Sequence, residues 1–131
     1  TYGKSILNNS SIKTFFALEK AKTDYFHIDV MDGKFVEKDT YQKMLEYASY
    51  IKRISNLPLD IHLMVEDINT AIDDFASVEP NIITFHYEVC KNKEEVMEVI
   101  KKIKNNAFYT PLKVFYIILG LYLALLFITC N

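Results

Sequence analysis

The chain has 131 residues, with 15 Lys and Arg against 17 Asp and Glu, for a net charge of −2. That length allows one domain with a modest core, and the near balance of charge gives no electrostatic reason to expect nucleic acid as a partner. Cys90 and Cys130 stand far apart without a Cys-x-x-Cys pairing, which argues against a disulfide framework and for a reducing, cytoplasmic setting.

The chain opens on Thr1 rather than Met, which leaves room for a missing beginning, and no signal-peptide pattern is visible. A short strand is expected at 4–7, followed by a weakly patterned helix over 12–22. Tyr25 to Met31 reads as the next strand. Tyr41, Met44, Leu45 and Ala48 then fall at i, i+3, i+4 and i+7, the apolar stripe of a helix. Leu59 to Val65 is a strand, Ile68, Ala71, Ile72, Phe75 and Ala76 mark a helix, and Asn81 to Tyr87 is a further strand. Val96, Val99, Ile100 and Ile103 close the series with a last helical stripe. The rhythm is that of about four βα units around a parallel sheet, an α/β fold.

After Asn106 the character changes. Val114 to Ile128 contains no charged residue, and only Gly120 interrupts its bulky apolar side chains. The stretch 114–130 is at the short end of a membrane span, and Lys101, Lys102, Lys104 and Lys113 before it suit a cytoplasmic flank. The expected division is therefore a domain over 1–106 and an apolar segment over 107–131. If that segment is genuine, it is the one place where the chain would meet a membrane.

The candidate chemistry lies in His27-Ile28-Asp29-Val30-Met31-Asp32-Gly33 and in Asp60-Ile61-His62-Leu63-Met64, one βα unit later. Side chains two apart on a strand share a face, so His27, Asp29 and Met31 would lie on one face with Asp60, His62 and Met64. A parallel pairing would gather two imidazoles and two carboxylates around one point, which is a metal-site geometry. A carboxylate there can also serve as a proton-transfer base. Burying such groups without use costs several kcal/mol by order of magnitude, so two such strands in succession argue for a site. Each residue also has a plainer reading. The histidines could be hydrogen-bonded interior groups and the methionines core filler, but the paired His-x-Asp and Asp-x-His contexts favour metal. Asp32-Gly33 could simply turn the chain. Asp60 reads as an orienting carboxylate rather than a ligand, and His86 and Glu88 as packing or rim residues.

These two motifs, with Ser5-Ile6-Leu7, Phe35-Val36 and Thr84-Phe85-His86-Tyr87-Glu88, make the chain resemble the ribulose-phosphate 3-epimerase family from about Lys4 to Asn105. The resemblance implies a TIM (β/α)8 barrel, here an incomplete one, and a homo-oligomer at full length. It also implies a sugar phosphate substrate in the pentose phosphate pathway and a divalent metal, zinc or iron with manganese or cobalt as substitutes. By motif match His27, Asp29 and His62 are metal ligands and Asp29 is the proton acceptor at C3 of ribulose 5-phosphate. Ser5, His62, Met31 and Met64 line the substrate, the methionines as polarisable walls against a flat enediolate.

The sequence also departs from the family. A TIM barrel has eight strands in about 250 residues. The resemblance implies a fourth ligand, which is also the second acid/base, in a Val-Asp-Gly-Gly stretch, whereas the last aspartate here is Asp74. Glycine-rich phosphate loops are lacking, since Gly3, Gly33 and Gly120 are all the glycines there are. Glu37 to Gln42 also differs from the family's Pro-Asn-x-Thr-x-Gly pattern. Three readings follow: a truncated epimerase, inactive alone, whose segment from about Ala107 is a mistranslated continuation; a non-catalytic metal-binding half barrel; and a tail-anchored membrane protein. A metal-free decarboxylase on a related barrel is a further alternative, and it predicts no stoichiometric metal.

Overall fold

The computed structural model describes residues 8–106 and, as backbone, 113–117. Helix α1 (Asn9–Lys20) leads to strand β1 (Phe26–Met31), followed by α2 (Tyr41–Ile54), β2 (Leu59–Met64), α3 (Ile68–Ala76), β3 (Ile82–His86), a single 3-10 turn (Tyr87–Val89), α4 (Lys93–Asn105) and β4 (Lys113–Ile117). The strands form one sheet in the order β1-β2-β3-β4, and every pairing is parallel. Successive parallel neighbours joined by helices make an α/β fold consistent with part of a (β/α)8 barrel.

One hydrophobic core fills the space between the helices and one face of the sheet. Phe26, Ile28 and Val30 of β1, Leu59, Ile61 and Leu63 of β2, and Ile83 and Phe85 of β3 are buried there, as the period-2 pattern requires. The helices contribute Ala48 and Ile51 of α2, Ile68, Ala71, Ile72 and Phe75 of α3, and Val96, Val99, Ile100 and Ile103 of α4. Those stripes match the expected ones in α3 and α4, except that Ala76 is only half-buried, whereas in α2 Ala48 and the unexpected Ile51 are buried and Tyr41, Met44 and Leu45 pack half-buried against the core. Phe15 anchors α1 edge-on against Phe26 and Tyr47.

Both ends of α1 differ from the sequence expectation, and β1, β2 and β3 are each shorter than expected by a residue at one end or both. Helix α1 starts at Asn9 rather than near Ile12, because the Asn8 side chain accepts the Ser11 N–H at 2.9 Å and so caps an additional turn. It ends at Lys20, two residues before Lys22 takes a left-handed φ of 57°. Within the apolar segment, Lys113–Ile117 pair in register with Ile82–His86. The rest of 107–131, and the expected strand at 4–7 with Ser5, lie outside the described residues. Among the described residues no helix is long and apolar enough to cross a membrane.

The loop from β1 to α2 folds back over the end of the sheet. Gly33, at φ 72°, donates its N–H to the Lys38 carbonyl, and a Cβ there would sit 3.3 Å from Asp39 Cβ. Thr40 closes the loop, donating its N–H to the Met31 carbonyl and accepting the Met31 N–H on its hydroxyl. Asp32 accepts the Lys34 and Phe35 N–H groups on one oxygen and the Glu66 N–H on the other, tying this loop to the one after β2. These three N–H groups stabilise its charge and, against the opposing effect of burial, hold its carboxyl below the usual carboxylate range.

Candidate metal centre

The sheet face turned away from the helices carries His27, Asp29 and Met31 from β1, Asp60, His62 and Met64 from β2, and Thr84 and His86 from β3. The β1–β2 register sets His27 beside Asp60, Asp29 beside His62, and Met31 beside Met64. Imidazole and carboxylate therefore alternate both along and across the strands.

Asp29 is the centre of the cluster. Its Oδ1 lies 3.1 Å from His27 Nε2 and 3.0 Å from His62 Nδ1. One atom from each of His27, Asp29 and His62 can be chosen so that all lie within 4.8 Å of one another. Two imidazole nitrogens and a carboxylate oxygen at that spacing suit a borderline divalent cation such as zinc, iron, manganese or cobalt, so the donor set fits the expected metal. Asp29 and His27 are about half exposed, which leaves the cluster accessible from solvent.

The far sides of both histidines are also engaged. His27 Nδ1–H donates to Asp60 Oδ2 at 2.7 Å, while Asp60 Oδ1 is buried without a hydrogen-bond partner among the described residues. Burial alone would lower the His27 pKa, but the hydrogen bond and charge of Asp60, with a smaller contribution from Asp29, raise it overall. His62 Nε2 lies 2.9 Å from His86 Nε2. His86 is buried, with Phe35 against its ring at a centroid distance of 4.9 Å. Burial, then the neighbouring His62, push its pKa down, and Glu88 offsets this only in part.

The structure thus brings together His27, Asp29 and His62, with Met31 and Met64 on the same face, and Asp60 holds His27 as an orienting carboxylate would. Of the two readings of His86, packing or rim, the structure supports packing: it is buried, and it is in direct contact with His62. The period-2 rule that found the first two strands would have found it too, because His86 shares a face with Thr84, the register partner of His62.

The ribulose-phosphate 3 epimerase family model matches residues 5–130. The chain belongs to this family. It is 36% identical over 85 residues to a Bacillus subtilis ribulose-phosphate 3-epimerase, covering 65% of this chain and 38% of that protein. It is 34% identical over 116 residues to the Methanocaldococcus jannaschii ribulose-phosphate 3-epimerase, covering 85% of this chain and 48% of the relative. A chloroplastic ribulose-5-phosphate-3-epimerase of Arabidopsis thaliana is 36% identical over 72 residues, 55% of this chain and 25% of that protein. The chain spans about half or less of the length of these curated relatives. The matched range runs through the apolar segment, including β4.

Proposed function

We propose that this chain serves metal-dependent ribulose-phosphate 3-epimerase chemistry, the interconversion of ribulose 5-phosphate and xylulose 5-phosphate through an enediolate. The observation that carries the reading is the shared position of Asp29 Oδ1 between the two imidazoles, at a strand face of a parallel sheet, in a member of this family.

Asp29 takes the proton from C3, which the adjacent C2 ketone acidifies, and its half-exposed carboxylate is accessible to a substrate. A divalent metal held by His27, Asp29 and His62, zinc or iron with manganese or cobalt as substitutes, supplies positive charge against the enediolate oxygens when bound. Asp60 holds His27 by its Nδ1 and so keeps Nε2 turned toward Asp29. Met31 and Met64 offer polarisable walls to the planar intermediate, and Ser5 and His62 contact the substrate. Reprotonation from the opposite face needs a second acid, for which the family resemblance names an aspartate that this sequence lacks. The chain by itself is therefore expected to hold metal and the first base without completing inversion.

The test pairs metal binding with proton exchange. The chain should bind close to one equivalent of zinc, lost in His62→Ala. Mixed with the complementary half of a relative, it should wash deuterium into C3 of ribulose 5-phosphate and form xylulose 5-phosphate. Asp29→Asn should lower the exchange rate by about 10²–10⁴-fold. Stoichiometric metal with no exchange would support a non-catalytic metal-binding role instead, and no metal at all would sink the proposal.

A further inference from the structure

We infer that His86 is the positioning residue of His62, accepting the His62 Nε2–H on its own Nε2 so that Nδ1 of His62 stays bare on the side of Asp29. This rests on the metal reading given under the proposed function. The two Nε2 atoms lie 2.9 Å apart, so one proton sits between them. The rings are within 23° of coplanar with centroids 5.1 Å apart, a separation taken up by the nitrogen-to-nitrogen distance and the two ring radii. The nitrogens therefore meet nearly edge to edge, where an imidazole lone pair lies.

Ligation decides which ring donates. A nitrogen that binds metal carries no proton, and a neutral imidazole carries one proton in total. Nδ1 is the His62 nitrogen that faces Asp29, at 3.0 Å, so the His62 proton belongs on Nε2 and points at His86. His86 then accepts on Nε2 and bears its own proton on Nδ1. That atom is buried without a hydrogen-bond partner among the described residues, and the Glu88 carboxylate 3.8 Å away is of the sign that favours a proton there. The two histidines are thus held from behind by different chemistry. His27 leans on a carboxylate, Asp60. His62 leans on a buried imidazole, itself backed by Phe35. Outer partners of this kind fix the tautomer and the ring orientation of a ligating histidine.

Long-range proton–nitrogen correlation NMR of the zinc-loaded full chain reads the tautomers directly. The inference expects the proton of His62 on Nε2 and that of His86 on Nδ1; a His62 proton on Nδ1 overturns it. Zinc competition with a chromophoric chelator gives a second readout. His86→Phe keeps a flat apolar ring but removes the acceptor, and should weaken zinc binding by about 10–100-fold. His86→Gln, whose carbonyl can accept from His62, should recover most of that loss. Equal losses in the two variants, or none in either, overturn the inference while leaving the metal site standing. A wild-type chain that binds no zinc overturns the proposed function and this inference with it.

Discussion

Asp60 and Asp32 show two uses of a carboxylate within one short stretch of fold. Asp60 holds His27 through Oδ2, its sole hydrogen-bond partner there among the described residues, so Asp60→Asn should weaken zinc binding by about 10–100-fold, measured by chelator competition, with little change in the circular dichroism spectrum. Asp32 instead holds two loops together through three backbone N–H groups. Its native pKa lies below the unfolded value of about 3.9, so its contribution to stability is fully present above that value and is lost as pH falls through the native pKa. Asp32→Asn should therefore lower Tm at neutral pH, and the gap to wild type should close as the solution is taken below about pH 4. A gap that stayed constant across that range would assign the loss to something other than this charge. The alternation of His27, Asp29, Asp60 and His62 was legible because strand period and parallel pairing alone place them together. The turn at Asp32-Gly33 was legible too, but the tie from Asp32 to Glu66 was not, because that partner is a backbone group of a distant loop that no side-chain pattern reveals.

At the scale of elements, the helices are held by their apolar stripes and their caps. Phe75 is fully buried on α3 and meets Tyr41 edge-on, so Phe75→Ala should cost about 3–5 kcal/mol in urea unfolding. The start of α4 is capped reciprocally: Asn92 accepts the Glu95 N–H, and the Glu95 carboxylate accepts the Lys91 N–H. Asn92→Ala should cost about 1 kcal/mol in the same assay. The buried stripe of α4 could be read residue for residue, since Val96, Val99, Ile100 and Ile103 satisfy the helical period without exception. The start of α1 could not, because a short polar run, Asn8 to Ser11, precedes its first apolar residue and the helix there depends on the Asn8 cap. Stripes locate the middle of a helix, and caps decide its end.

For the molecule as a whole, the least legible feature was β4. An unbroken apolar run longer than a usual strand satisfies a membrane span as well as it satisfies a buried strand, and hydropathy cannot separate the two. Pairing shows a strand where the run starts: 113–117 lie in register along β3 from Ile82 to His86, while 118–131 lie outside the described residues. Hydrogen exchange should accordingly show protection of amides within 113–117 comparable to that at the ends of β2, and exchange at the rate of an unstructured chain would remove the fourth strand from the sheet.

The order β1-β2-β3-β4 means that each strand's partner is the one made immediately before it. During synthesis, each emerging strand and helix can dock on a surface that already exists, with no wait for a distant segment. The ribosome would thus deliver the sheet in the order in which it is assembled. His27 and Asp29 would be in place first, His62 would join them with the next strand, and His86 would arrive last to steady it.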